Sequence, residues 1–207
     1  MGIRILGRTA VECTRDDLAA AIATDVARVA GLCAAPSRLV VDPFAGSGNT
    51  VYWLLERLPG SRAFACENDL RVYELSSRNL SLLSLPLQLE CAEFPRGLDK
   101  VAAQPGELVV VFVAPPWGRA LDARTGLDLR RTEPPVLEIV DDCARRFEGH
   151  PILFVIQIHE SVEADSLAAL VARFDPHERK VYALNRAGQN HGVLIGCMGW
   201  NPEPVPR

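Results

Sequence analysis

Three short stretches hold the residues best suited to chemistry, and in each an acid ends or follows an apolar run. In Val40-Val41-Asp42-Pro43-Phe44-Ala45-Gly46-Ser47-Gly48-Asn49-Thr50 a β-branched run stops at Asp42, and a loop of small residues opens onto a helical pattern. Glu67-Asn68 closes the run Arg62-Ala63-Phe64-Ala65-Cys66, and Glu93-Phe94 follows a third short strand pattern at Pro86–Glu90. An acid at a strand tip can face a cation. Backbone left bare at Gly46 and Gly48 lets a ligand approach closely. Glu67 can accept both hydroxyl protons of a ribose, and Glu93 can accept from the amino group of an adenine, with Phe94 beside the ring.

Charge decides among the ligands that use such a loop. A nucleoside-triphosphate loop needs Lys after its last glycine, where this chain has Asn49. The dinucleotide pattern G-x-G-x-x-G fits Gly46 and Gly48, meets Val51 at its third glycine, and gives no reason for an acid before the glycines. S-adenosyl-L-methionine gives one, because it carries an α-amino group and a sulfonium but no phosphate. The expected donor site is Asp42, Pro43, Phe44, Ala45, Gly46, Gly48, Asn49 and Thr50, with Glu67 and Asn68 at the ribose and Glu93 and Phe94 at the adenine.

A methyl acceptor has its own candidate residues in Val113-Ala114-Pro115-Pro116-Trp117-Gly118. Consecutive prolines hold an extended backbone and donate no N–H, so their carbonyls can accept from a flat amine laid across them. Trp117 offers a stacking face, while Ala114 has no side-chain acceptor. Ala114, Pro115, Pro116 and Trp117 are therefore the expected catalytic set. Arg119, Arg124, Arg130 and Arg131 stand against Asp122 and Asp128, and Arg119 is the one best placed for a substrate phosphate. His159 ends a buried strand pattern and is a candidate substrate contact. H-E-x-x-H does not follow it, and no metal is expected.

Apolar periodicity sets the elements that must carry these residues. A capping-box pattern at Thr14-Arg15-Asp16-Asp17, followed by Leu18, Ile22, Val26 and Val29 at helical spacing, predicts a helix running to about Cys33. Strands are expected at Arg38–Asp42, Arg62–Glu67, Pro86–Glu90, Glu107–Val113 and Pro151–His159. Helices are expected at Ser47–Leu58, Asp69–Leu82, from Pro134 or Pro135 to Phe147, and at Glu163–Phe174. Glu178–Leu184 and Gly192–Met198 lack an intervening helix and read as a hairpin. Alternating strands and helices imply a mainly parallel sheet covered on both faces, with ligands at the strands' carboxyl ends. The expected organisation is a leader and helix over 1–35, one domain over 36–200 and a loose tail over 201–207.

The chain resembles the RNA cap guanine-N2 methyltransferase (trimethylguanosine synthase-like) family of class I S-adenosylmethionine enzymes. The likeness runs over about 12–200, through "CTRDDLAAAIA", "VVDPFAGSGNT", "ENDLRVYELSSRNL", "ECAEF" and "VVVFVAPPWGRALDARTGLDLR". It implies an α/β, Rossmann-like fold with a mostly parallel seven-stranded sheet and a C-terminal antiparallel hairpin. It also implies methyl transfer to a purine-like acceptor, with Trp117 stacked on the purine. Ala114 stands where the family usually has Ser or Asp.

The totals fit that picture. At 207 residues and 22.6 kDa the chain can bury the core of one α/β domain. A formal charge of −4 supplies no general field for nucleic acid. Six scattered cysteines without C-x-x-C read as reduced thiols, and no run is long enough to span a bilayer, so a cytoplasmic protein is expected. The acceptor is expected to be a purine nucleotide, RNA or a small molecule. Two other readings stay open: a donor-binding partner protein without activity, and a nucleotide-dependent reductase using the same glycines.

Overall fold

The computed structural model describes residues 3–184 and 189–202, apart from the side chains of residues 8, 11 and 12. Nine strands and six helices follow one another as α1 (Gly7–Glu12), α2 (Asp16–Ala30), β1 (Ser37–Asp42), α3 (Asn49–Arg57), β2 (Arg62–Glu67), α4 (Leu70–Ser81), β3 (Leu87–Cys91), β4 (Glu107–Val113), β5 (Leu121–Asp122), β6 (Gly126–Leu127), α5 (Val136–Arg146), β7 (Ile152–His159), α6 (Ala164–Val171), β8 (His177–Tyr182) and β9 (His191–Met198) among the described residues. Seven of the strands form one sheet in the order β3-β2-β1-β4-β7-β9-β8, parallel from β3 to β7, with β9 antiparallel to both β7 and β8.

Period-2 alternation along β4 divides the core between the two faces. Val109, Val111 and Val113 pack with Phe64, Phe154, Ile139 and Leu170 on one side. Leu108, Val110 and Phe112 pack on the other with Ile22 and Val26 of α2 and with Val51 and Leu54 of α3. A strand buried on both faces must be apolar throughout, which is why β4 reads as an unbroken run. Asp16 and Asp17 in the first turn of α2 and Arg28 in its last suit the helix dipole.

Helix ends depart from the expected bounds where backbone geometry intervenes. Gly48 is left-handed at φ 75° and caps α3, so that helix starts at Asn49 rather than Ser47. Pro135 is the N-cap of α5, which begins at Val136. α2 stops at Ala30, short of Cys33. The helix α1 and the hairpin β5–β6 are too short to leave a periodic signal. Residues 185–188, between the two strands of the expected hairpin, and 203–207 of the expected tail lie outside the described residues.

Candidate active site

Strand order reverses between β1 and β4, and at such a point the loops leaving the two strands part in opposite directions. An open cleft of about 1130 Å³ lies there, bounded by the loops after β1, β2, β3 and β4, by the end of β7, by residues around α1 and the start of α5, and by the start of β9. It gathers Asp42, Pro43, Phe44, Ala45, Gly46, Asn49, Thr50, Glu67, Asn68, Glu93 and Phe94 with Ala114, Pro115, Pro116, Trp117 and His159. Two expected residues are outside its lining. Gly48 faces α4, where an added Cβ would sit 2.8 Å from Leu80 Cδ1. Arg119 lies on the surface in a single 3-10 turn after Trp117. Of the neighbouring arginines, Arg130 is committed to Asp128 at 2.9 Å and to Glu163, the N-cap of α6, at 2.8 Å.

Two carboxylates lie side by side on the cleft floor. Asp42 is 1% exposed and Glu67 9%. Burial pushes the Asp42 carboxyl up to about 7, against the pull of the Phe44 N–H, and the charge of Glu67 pushes the same way. Phe44 N–H donates to Asp42 Oδ1 at 3.0 Å. Gly46 N–H donates to Glu67 Oε2 at 3.0 Å and Asp69 N–H to Oε1 at 2.8 Å, so each Glu67 oxygen keeps a lone pair. Among the described residues neither acid has an ion-pair partner. Gly46, at φ 52°, has nothing within 4 Å of a would-be Cβ, so this is the bare stretch of loop. Ser76 Oγ donates to the Gly46 carbonyl at 2.7 Å and fixes the loop from α4. Phe44 and Phe94 stack at 5.5 Å as an apolar wall.

Beyond Ala114 the cleft carries a polar network that the motifs did not disclose. Thr14 Oγ1 donates to Gln157 Oε1 at 2.9 Å, and Gln157 Nε2 lies 3.0 Å from His191 Nδ1. Asn49 Nδ2 donates to the Thr14 carbonyl at 2.9 Å, which ties this network to the first turn of α3. The β7–β9 register sets His159 opposite His191, and their rings are 6.4 Å apart. Trp117 packs 4.9 Å from His191 and 6.0 Å edge-on from His159. Burial, then the charges of His159 and Arg15, hold His191 below the ordinary imidazole value. The sequence did carry one signal. Gln157 and His159, two apart in "ILFVIQIH", put two polar groups on one face of a wholly buried strand.

Among the described residues no group of three His, Cys, Asp or Glu side chains has the arrangement of a metal site. No helix there is long and apolar enough to cross a membrane.

No family model and no curated protein matches the chain. Solved structures match over most of its length. A precorrin-6y C5,15-methyltransferase from Geobacter metallireducens GS-15 is similar at TM-score 0.58 and 16% identity, over 95% of this chain and 92% of its own. An rRNA methylase from Streptococcus thermophilus is similar at TM-score 0.53 and 18% identity, over 88% and 97%. The TrmK of M. capricolum, solved with S-adenosyl-homocysteine, is similar at TM-score 0.54 and 12% identity, over 88% and 71%. At such identities the likeness is one of architecture, and the chain has the Rossmann-like fold of the class I methyltransferases.

Proposed function

We propose that the chain is an S-adenosyl-L-methionine-dependent methyltransferase acting on the amine of a purine-like acceptor, of guanine-N2 type, in RNA or a nucleotide. One observation carries the reading: two carboxylates share the floor of the cleft with no cation beside them among the described residues. A buried acid pair of this kind favours a positively charged ligand. The matching structures include an rRNA methylase and a protein solved with the donor's product, which agrees with it.

In this reading Asp42 takes the donor's ammonium, Gly46 leaves room for the methionine part, Glu67 accepts from the ribose and Glu93 from the adenine, and Phe94 lies along the base. When bound, the donor supplies an electrophilic methyl group on a sulfonium. Ala114, Pro115 and Pro116 offer backbone carbonyls to the acceptor and Trp117 offers a stacking face, so these residues align rather than activate. Alignment of this kind is worth up to ~7–11 kcal/mol of a barrier. The cleft exceeds the roughly 300–1,000 Å³ usual for one small ligand, leaving space for donor and acceptor together.

A second reading, donor binding without turnover, is favoured by Ala114, which supplies no side-chain acceptor and packs partly buried against the core. S-adenosylhomocysteine release measured with guanosine, guanosine monophosphate and short RNAs separates the two. Product formed with a purine acceptor supports the enzyme, and donor binding without product supports the alternative.

A further inference from the structure

With no polar side chain at Ala114, the proton shed by a methylated amine must find another group in the acceptor end of the cleft. Outside the expected donor site the ionisable side chains lining the cleft are Cys13, Glu133, Glu138, His159 and His191, and the two histidines are the ones in ring contact with Trp117. His191 is occupied at Nδ1 by Gln157. His159 is held differently. Its Nδ1 lies 3.1 Å from the Ser161 N–H, which donates to it, and 3.2 Å from the Ser161 carbonyl, which can accept from it. The two Ser161 groups therefore suit both neutral tautomers, and in the one that donates from Nδ1 to the Ser161 carbonyl the ring's lone pair is on Nε2, where it can take a proton while Nδ1 keeps its anchor. Nε2 has no partner among the described residues. His159 also sits edge-on at 6.0 Å to Trp117, the residue on which the acceptor would stack.

From this geometry we infer that His159 is the proton acceptor of the reaction, taking the acceptor's proton on Nε2. The inference rests on the methyltransferase reading of the same cleft. The acceptor nitrogen gives its lone pair to the methyl carbon as the carbon–sulfur bond breaks and leaves its electron pair on sulfur. The sulfonium becomes a neutral thioether, and the positive charge moves to the acceptor nitrogen. The N–H proton then passes to Nε2, and the imidazolium formed donates from Nδ1 to the Ser161 carbonyl. Charged or titratable groups beside His159 are His191 across the β7–β9 register and the adjoining Glu160, whose carboxylate accepts from Asn190 and whose backbone carbonyl accepts from Arg179; Glu133 and Glu138 line the same cleft.

Imidazole nitrogen–proton correlation spectra of the full chain, between pH 5.5 and 8.5, test this with and without S-adenosylhomocysteine. The His159 signals are identified by their loss in His159→Asn, whose amide can still hold Ser161. The expected result is a neutral ring with Nδ1 protonated and the lone pair on Nε2. An Nε2 that remains protonated throughout, with the lone pair fixed on Nδ1, would overturn it. The spectrum of the free protein answers this question even if S-adenosylhomocysteine does not bind, an outcome that counts against the methyltransferase reading instead. With a turned-over acceptor, His159→Asn is expected to slow methyl transfer about 100-fold or more and to move donor affinity less than about threefold.

Discussion

Gly46 N–H donates to the Glu67 carboxylate at 3.0 Å, across from one strand end to the next. The loop after β1 and the acid closing β2 are thus one unit, held further by the Ala45 N–H on the Cys66 carbonyl at 2.8 Å. Glu67→Gln replaces one accepting oxygen with a donor that opposes a backbone N–H. Hydrogen bonds to charged groups are worth roughly 1.5–3 kcal/mol, so S-adenosylmethionine affinity should fall about 10- to 150-fold. Calorimetric titration of the two proteins measures it.

The two glycines of the loop should fail in different ways. Gly48→Ala meets Leu80, itself only 8% exposed, while holding φ at 75°. It should cost about 2–4 kcal/mol of stability and change donor affinity less than about threefold. Gly46→Ala meets nothing in the protein and should cost about 1–2 kcal/mol, yet weaken donor binding about tenfold or more. Chemical denaturation beside calorimetry distinguishes the two patterns.

These glycines also mark how far the sequence could be read. The alternation of strands and helices, the acids at strand tips and the loop were legible because each leaves a local pattern, and the sheet has them at adjacent strand ends. The side of the backbone on which Gly48 lies was not, because that depends on where α4 packs. Nor were Thr14, Gln157 and His191 legible as a group. Their proximity comes from the β7–β9 register and from the hydrogen bond of Thr14 to Gln157, both long-range.

Asp42 gives the cleft a pH dependence. Its folded value, about 7, lies above the ordinary 3.8, so the folded state prefers the protonated acid. That preference stabilises the fold fully below about pH 4 and is lost as pH rises through 7. Asp42→Asn should therefore lose less stability than the parent between pH 4 and 8. A cationic ligand prefers the carboxylate, so its affinity relative to Asp42→Asn should rise about tenfold from pH 6 to 8. Thermal melts and titrations at both pH values check the two signs.

Trp117 touches His191 and the core but also lines the open cleft. Base stacking is worth roughly 1–3 kcal/mol, so Trp117→Ala should raise the acceptor's KM about 5- to 150-fold. Donor affinity should change less than about threefold, and Trp117→Phe should recover most of the loss. Equal losses for donor and acceptor would point to collapse of the cleft rather than loss of a stacking face.

The carboxylate pair gripping a positive donor is the centre of the account, and calorimetry with S-adenosyl-L-methionine at pH 8 reaches it most directly. Saturable one-to-one binding that disappears in the folded Asp42→Asn, Glu67→Gln double variant is the predicted result. Folded parent protein that takes up none at millimolar ligand, or a double variant that binds as tightly as the parent, would contradict it.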